Sequence, residues 1–184
     1  MSEAAAPILL NNVLAGDLRA LARAATLIEN SSSASEQLLG ELKSHAGRAL
    51  LIGVTGPPGT GKSTLCDQMI ALVRAEGKKV AATPANKNVA SSHAKFVRSL
   101  TGEEEVIVVE YGEGKPGDVE RFNRMVQPTI GVITGLAPAH LDHYKTVHAA
   151  GRDIFSLASF VGPRNVFINR ESHDLQEFLH DEQH

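Results

Sequence analysis

Residues 50–65 read LLIGVTGPPGTGKSTL, and this stretch decides the fold of the chain. Its first five residues, Leu50–Val54, form an apolar run that predicts a buried strand. The residues that follow fit the phosphate-binding pattern G-x-x-x-x-G-K-[ST] at every fixed position, and a helix is predicted to begin where the pattern ends. A strand before the loop and a helix after it are the context that this pattern requires. We therefore predict that the protein binds a nucleoside triphosphate.

The spacing of this pattern has a chemical reason. Glycines allow successive backbone N–H groups to turn inward as an anion-binding nest, and the following helix points its positive dipole end at the same place. We expect Lys62 to neutralise charge on the β- and γ-phosphates and the Ser63 hydroxyl to bind Mg²⁺. The predicted nucleotide-binding residues of the loop are Gly56, Pro57, Pro58, Gly59, Thr60, Gly61, Lys62, Ser63 and Thr64.

The composition narrows the class of protein. The chain has 184 residues, which suits one ordinary domain with a small appendage, and 42% of them are apolar, which is enough for a core. A net charge of −3 gives no general attraction to nucleic acid or to an anionic membrane. The single cysteine, Cys66, excludes an internal disulfide, and neither a signal peptide nor a run of membrane-spanning length is recognisable. We therefore expect a soluble cytoplasmic protein without a nucleic-acid or membrane partner.

Two regions are predicted along the chain. Residues 1–47 form an N-terminal helical extension with two helices, one over residues 10–28 and one that begins at Ser33, where Glu36 has the capping-box spacing. These helices either pack on the rest of the protein or provide a surface for a homodimer or a protein partner. Residues 48–184 alternate between strand and helix patterns, which predicts an α/β phosphate-loop NTPase-like domain with three layers and a mainly parallel sheet. Its predicted strands are Leu50–Val54, Lys79–Ala82, Val106–Val109, Ile130–Ile133 and Val166–Ile168.

Two further polar residues follow predicted strands, and ligands of such sheets sit beyond the carboxyl ends of the strands. Glu110 comes directly after an apolar run, so its carboxylate is expected to hold Mg²⁺ as the acidic residue of phosphate-loop proteins does. Lys62 and Glu110 are accordingly the predicted catalytic residues. His140 lies in the loop after Ile130–Ile133 and is predicted to be a direct or indirect partner of the same metal.

Residues 9–80 contain several specific motifs, one of which includes the phosphate loop. They are Leu14-Ala15-Gly16-Asp17, Arg19-Ala20-Leu21-Ala22-Arg23-Ala24, Gly47-Arg48-Ala49 and Ile52–Thr64. By these residues the region resembles the methylmalonyl-CoA mutase-associated GTPases, metallochaperones that guard cobalamin-dependent mutases. The resemblance implies GTP as ligand, which that family reads with an N-K-x-D motif. In this chain the only Asn-Lys pair, Asn86-Lys87, is followed by Asn88 and Val89, so the aspartate is missing.

Residues 82–184 carry a different set of motifs. They are Thr83-Pro84-Ala85-Asn86, Val109-Glu110-Tyr111-Gly112, Pro116-Gly117-Asp118, Gly131-Val132-Ile133-Thr134, Pro138-Ala139-His140-Leu141 and Asp153-Ile154-Phe155. In their order and spacing they resemble the central ATP-binding domain of the Mur ligases, most closely of the D-alanyl-D-alanine-adding members. This resemblance implies ATP as ligand, Glu110 and His140 as Mg²⁺ ligands, and Asn169 near the nucleotide.

Three departures weaken the expectation of ligase chemistry. The phosphate loop is longer than the G-x-x-G-K-[TS] form of the Mur ligases. Their carbamylated lysine, which holds a second Mg²⁺, corresponds to Gly151 here, and the domains that bind precursor and amino acid are not recognisable in the chain. The first hypothesis is thus a Mg²⁺-ATP-binding domain of Mur-ligase type, with or without hydrolysis and incomplete as a ligase. A GTP-binding chaperone and a non-catalytic nucleotide-binding module are the alternatives.

Overall fold

The structure is a computed structural model that describes residues 5–29, 33–44, 47, 49–84, 95–97, 99–112 and 114–181. The chain divides into two compact units, residues 1–48 and residues 49–184. No helix among the described residues is long and apolar enough to cross a lipid bilayer. The Asn86-Lys87-Asn88 segment lies outside the described residues.

The first unit contains three helices, α1 (Ala5–Leu14), α2 (Leu18–Glu29) and α3 (Ser33–Lys43), around a small core of Leu9, Ala20, Ala24 and Leu38. The sequence predicts one helix over residues 10–28, whereas the structure breaks it between α1 and α2. The break has a local cause, because Gly16 has a φ of 78°, a left-handed conformation that interrupts a helix. The Asp17 carboxylate then accepts hydrogen bonds from the backbone N–H groups of Arg19 and Ala20, at 2.7 and 3.0 Å, and starts α2 as its cap.

The second unit is built on a five-stranded sheet in the order β2-β3-β1-β4-β5, and all four strand pairs are parallel. The predicted α/β class with a parallel sheet is confirmed. The strands are β1 (Leu50–Thr55), β2 (Val80–Ala82), β3 (Val106–Glu110), β4 (Ile130–Ile133) and β5 (Val166–Ile168). The helices with bounds among the described residues are α4 (Lys62–Ala75), α5 (Asp118–Val126), α6 (Leu141–Tyr144), α7 (Val147–Val161) and α8 (His173–Asp181), and residues 95–97 and 99 are also helical.

Helices cover both faces of this sheet, which gives three layers. On one face α4 contributes Cys66 to a cluster with Val54 and Val108. On the other face α5 and α7 contribute Phe122 and Leu157 to a second buried cluster, which also includes Ile107 and Val109 of β3. Alternate residues of β3 therefore point into different cores, as expected of a strand that is buried on both faces.

The strand register positions the loop after β1. Val54 of β1 pairs with Glu110 of β3, and Thr55 of β1 pairs with Ile133 of β4. Since β1 is the central strand, the loop that follows it leaves the sheet between the end of β3 and the end of β4. Three polar segments thereby meet at one edge of the sheet.

Candidate nucleotide-binding site

The loop after β1 has the backbone of a phosphate-binding loop. Gly56, Gly59 and Gly61 have φ values of 143°, 81° and 81°, which non-glycine residues rarely adopt. Lys62, the first residue of α4, is buried, and its Nζ donates hydrogen bonds to the carbonyl oxygens of Gly56 and, at 3.1 Å, Pro57. The ammonium group thus lies against the turn of the loop, where it can reach phosphate oxygens bound by the loop.

The next residue of α4 contacts the end of β3. The Ser63 hydroxyl donates a hydrogen bond of 2.8 Å to Oε2 of Glu110, a carboxylate that is only 7% exposed. The backbone N–H of Glu110 in turn donates to the Thr83 hydroxyl at 2.9 Å, so the end of β3 is tied to the segment that follows β2. A hydroxyl oxygen beside a carboxylate oxygen is a donor set that suits Mg²⁺. The predicted pair of metal ligands is therefore brought together.

A second hydroxyl pair joins the loop to β4. Thr60 Oγ1 donates to the Pro57 carbonyl at 2.8 Å and lies 2.7 Å from Thr134 Oγ1. Thr134 also approaches the first glycine of the loop, because a Cβ built on Gly56 would lie 2.3 Å from its hydroxyl oxygen. Thr134 was not among the predicted site residues, although it follows β4 in the way that polar residues follow the other strands.

A pocket of about 270 Å³ lies beside this edge of the loop. Asn169, which follows β5, lines the pocket and donates from Nδ2 to the Thr134 carbonyl at 3.0 Å. Its Oδ1 accepts from the Glu171 backbone N–H at 3.0 Å, so the amide holds its own loop as well as β4. The other residues that line the pocket are Thr60, Gly61, Leu65, Val132, Ile133, Thr134, Phe167 and Ile168.

His140 is placed differently from the other predicted site residues. It is exposed and precedes α6 with a φ of 52°, and its backbone carbonyl accepts from the N–H groups of His143 and Tyr144. No hydrogen bond joins the His140 side chain to Ser63 or Glu110 among the described contacts. Its role at the metal stays a prediction.

Gly151 occupies the position that the Mur ligase resemblance assigns to the carbamylated lysine, and the ring of Phe178 fills the space beside it. Gly151 is buried in α7, and a Cβ built on it would lie 2.6 Å from the ring of Phe178 in α8. A longer side chain would have to displace that ring. The residues present therefore do not fit the second Mg²⁺ of the Mur ligases at this position.

Asp153, two residues after this glycine in α7, belongs to a structural network. Its carboxylate lies 2.6 Å from the Tyr144 hydroxyl and accepts from the Gly117 N–H at 3.1 Å. Burial raises the pKa of Asp153 above its ordinary value, and the hydrogen bond from Tyr144 opposes this shift. The Tyr144 hydroxyl also contacts the Lys115 carbonyl at 2.9 Å. This network joins α6 and α7 to the turn before α5.

Cys66 lies near the candidate metal ligands but is not reactive. Burial raises the pKa of its thiol to about 12, and the nearby carboxylates of Glu110 and Asp67 add to the shift. Because the thiolate is the nucleophilic form, Cys66 acts here as a small core residue.

Comparison with known proteins gives two kinds of relative. The sequence model of the family described as Methylmalonyl Co-A mutase-associated GTPase MeaB matches residues 21–162. A GTPase homologue of Pyrococcus abyssi is 32% identical over 146 residues, which cover 79% of this chain and 42% of the relative. The UDP-N-acetylmuramoyl-tripeptide–D-alanyl-D-alanine ligase of Buchnera aphidicola is 26% identical over 156 residues, which cover 84% of this chain and 33% of the ligase.

Solved structures share the fold of the chain. The crystal structure of MurF from Acinetobacter baumannii superposes with a TM-score of 0.63 and 18% identity over 81% of this chain and 33% of the MurF chain. Both resemblances predicted from the sequence are thus confirmed. The chain spans less than half of the length of each of these relatives.

Proposed function

The chain belongs to the methylmalonyl-CoA mutase-associated GTPase MeaB family, and from that premise we propose that its phosphate loop binds GTP together with Mg²⁺. We further propose that the first unit is a surface for protein contact and that a second copy of the chain is its partner. The observation that carries the first proposal is the hydrogen bond between Ser63 and Glu110 directly beside Lys62. This contact unites a phosphate-binding cation with two oxygen donors of the kind that Mg²⁺ prefers.

Each residue of the site has a defined task in this proposal. The inward N–H groups of the loop and the N-terminus of α4 bind phosphate oxygens, and Lys62 adds a positive charge at the β- and γ-phosphates. Ser63 and Glu110 would hold Mg²⁺, which neutralises phosphate charge when it is bound. The burial of Lys62 and Glu110 strengthens these interactions, because water screens buried charges less than exposed ones.

ATP is the second candidate nucleotide. It is favoured by the absence of an N-K-x-D motif from the sequence: Asn86-Lys87 continues with Asn88 and Val89, and Asn169 after β5 continues with Arg170, Glu171 and Ser172. The aspartate position of the motif is therefore filled by Val89 in the segment that begins at Asn86 and by Ser172 in the segment that begins at Asn169. The ligase reaction itself is not part of this candidate function, because Phe178 covers Gly151.

Equilibrium titration with fluorescent GTP and ATP analogues in the presence of Mg²⁺ tests the proposal. Lys62→Ala is expected to weaken binding of both analogues at least about tenfold, since charge-assisted hydrogen bonds contribute about 1.5–3 kcal/mol. Unchanged affinity in Lys62→Ala would overturn the proposed site. A preference of the unaltered protein for the GTP analogue supports the first candidate nucleotide, and a preference for ATP supports the second.

The exposed apolar side chains of the first unit support its proposed role in protein contact. Ile8, Leu14 and Leu18 are 63%, 46% and 59% exposed, so three large aliphatic side chains of this small helical unit are available for contact with a partner. Light scattering across a range of protein concentrations tests whether this unit forms a homodimer. A dimer that Leu14→Glu and Leu18→Glu together convert to a monomer is the expected result, and a monomer at every concentration would exclude the homodimer.

A further inference from the structure

The loops that follow β1, β4 and β5 are joined by one chain of hydrogen bonds, and Thr134 stands at its centre. Its hydroxyl lies 2.7 Å from that of Thr60 in the phosphate loop and 3.2 Å from the carbonyl oxygen of Thr55 at the end of β1. Its carbonyl accepts the 3.0 Å hydrogen bond from Asn169 after β5. Thr134 is 6% exposed, so water does not compete freely for these contacts.

The Thr60 and Thr134 hydroxyl groups have two hydrogens between them, but they make three contacts: Thr60 with the Pro57 carbonyl, Thr60 with Thr134, and Thr134 with the Thr55 carbonyl. Two arrangements of these hydrogens are therefore possible. In the first, Thr134 donates to Thr55, Thr60 donates to Thr134, and the Pro57 carbonyl keeps the hydrogen bond from Lys62 at 3.1 Å. In the second, Thr60 donates to Pro57 and Thr134 donates to Thr60. The Thr55 carbonyl is then satisfied by the Thr134 backbone N–H at 3.0 Å. No carbonyl lacks a donor in either arrangement.

The difference between the two arrangements concerns Lys62. The Pro57 carbonyl accepts a long 3.4 Å hydrogen bond from the Thr60 backbone N–H in both arrangements, and only the second adds the 2.8 Å hydrogen bond from the Thr60 hydroxyl. When the ammonium group turns toward phosphate oxygens, Pro57 then keeps a short hydrogen bond, and only the Gly56 carbonyl loses its bond from Lys62. An unsatisfied buried acceptor is costly, which makes such a replacement donor valuable. The close approach of the Thr134 hydroxyl to Gly56 fixes the start of the same loop, since even a Cβ there would collide with it.

We propose that Thr134 is a positioning residue for phosphate binding, which holds Thr60 against the Pro57 carbonyl and so keeps that carbonyl well bonded when Lys62 turns to the ligand. The inference rests on the proposed nucleotide site. It assigns to the end of β4 a part in phosphate affinity, although Thr134 itself touches no phosphate in this scheme.

The test compares Thr134→Val and Thr134→Ser with a matched control, Thr129→Val. Thr129 lies at the other end of the same β1–β4 pair, where its hydroxyl bonds the N–H and carbonyl of Leu51 at 3.2 and 3.1 Å. Both valine variants thus remove a threonine hydroxyl that contacts a carbonyl of β1, one buried near the loop and one exposed far from it. The ligands are the Mg²⁺ complexes of GTP and of inorganic pyrophosphate, and free guanosine serves as the ligand without phosphate.

We expect Thr134→Val to weaken GTP and pyrophosphate binding about tenfold, in line with the loss of one buried hydrogen bond. Guanosine binding should change less than twofold, Thr134→Ser should restore both phosphate ligands, and Thr129→Val should bind all three like the unaltered protein. In a double-mutant cycle, Thr60→Val should add little to Thr134→Val, because the two hydroxyls act as a pair.

Two outcomes would overturn the inference. One is phosphate affinity in Thr134→Val within twofold of the unaltered protein, and the other is an equal loss for guanosine that Thr134→Ser does not restore. Failure of the nucleotide site itself is recognisable separately, because Lys62→Ala would then bind GTP as the unaltered protein does.

Discussion

The edge of the sheet formed by β1 and β3 and the helical layer formed by α6 and α7 each contain one buried carboxylate, and the two have different partners. Glu110 is 7% exposed and accepts from Ser63, a hydroxyl that can also bind a metal. Asp153 is 9% exposed and contacts the phenol of Tyr144 and the N–H of Gly117. A carboxylate of similar burial thus lies in the candidate ligand site in one region and in a packing network in the other.

The neighbours of each carboxylate explain this difference. Beside Glu110 the chain supplies Lys62 and a glycine-rich loop, so a ligand with negative charge finds donors there. Beside Asp153, Gly151 is covered by Phe178, so the space that a metal-binding side chain would need is occupied by a ring. The edge of the sheet beside Glu110 therefore has the glycine-rich backbone and the charges of the candidate site, whereas the helical layer at Gly151 has no room for a larger side chain.

Glu110→Gln gives the sharpest test of this contrast and the largest expected effect. The amide keeps the size of the side chain and removes the charge that suits Mg²⁺, so the gain in GTP affinity on adding Mg²⁺ should fall by roughly 10- to 100-fold. Titration with and without Mg²⁺ measures that gain. Asp153→Asn is the matched control and should leave it unchanged, and an equal loss in both variants would contradict the difference between the two carboxylates.

The parts of this site that the sequence predicts are those set by local pattern. The five strands and the phosphate loop follow from short apolar runs and fixed spacings, and Glu110 was recognisable because it ends such a run. Thr134 obeys the same rule after β4, so the signal was present there too. Thr134 was not predicted, because an uncharged threonine side chain does not by itself indicate a phosphate or metal site.

Other features have no signal in a local pattern. The apolar periodicity of residues 10–28 runs through the break at Gly16 and Asp17, so only the left-handed glycine and the aspartate cap reveal two helices. The contact between Gly151 and Phe178 joins two helices that are distant in sequence, and its effect depends on side-chain volume. Packing of this kind is decided by tertiary structure and cannot be derived from propensity.

Gly151→Ala should separate packing from helix propensity at the covered position. Alanine favours a helix over glycine by about 1 kcal/mol, whereas overpacking typically costs about 1–3 kcal/mol. We expect the free energy of unfolding to fall by about 1 kcal/mol in the unaltered background and to rise when Phe178 is replaced by leucine. Urea unfolding of the four proteins measures this coupling, and an equal effect of Gly151→Ala in both backgrounds would show that the ring does not fill this space.

A smaller effect is expected from the pH dependence of Asp153. Because burial raises its pKa above the ordinary value of 3.8, the folded protein binds this proton more tightly than the unfolded chain. The contribution to stability is therefore complete below pH 3.8 and is lost as the pH rises through the folded-state pKa. Asparagine at this position can donate to Tyr144 and still accept from Gly117, so Asp153→Asn should remove this loss.

Urea unfolding across the acidic range measures the prediction as the difference in free energy between the two proteins, which should grow in favour of Asp153→Asn as the pH rises. Glu104→Gln provides a control of opposite sign. Hydrogen bonds, first of all from the Thr101 backbone N–H, lower the pKa of Glu104, so its stabilising contribution is lost as the pH falls. If the difference in free energy of unfolding between Asp153→Asn and the unaltered protein did not change with pH, the proton would be bound elsewhere in the network.

The smallest expected effect concerns His140, whose side chain is exposed and makes no hydrogen bond to Ser63 or Glu110 in the part of the chain that the structure describes. If the described geometry persists when nucleotide is bound, His140→Ala should change the Mg²⁺-dependent gain in GTP affinity less than twofold, since an exposed side chain contributes little to a site that it does not touch. His140→Asn serves as the partner variant, because asparagine tolerates the left-handed backbone at φ 52° and separates the loss of the imidazole from backbone strain. A large loss in both variants would mean that the loop moves His140 to the metal, and the two regions would then share one site.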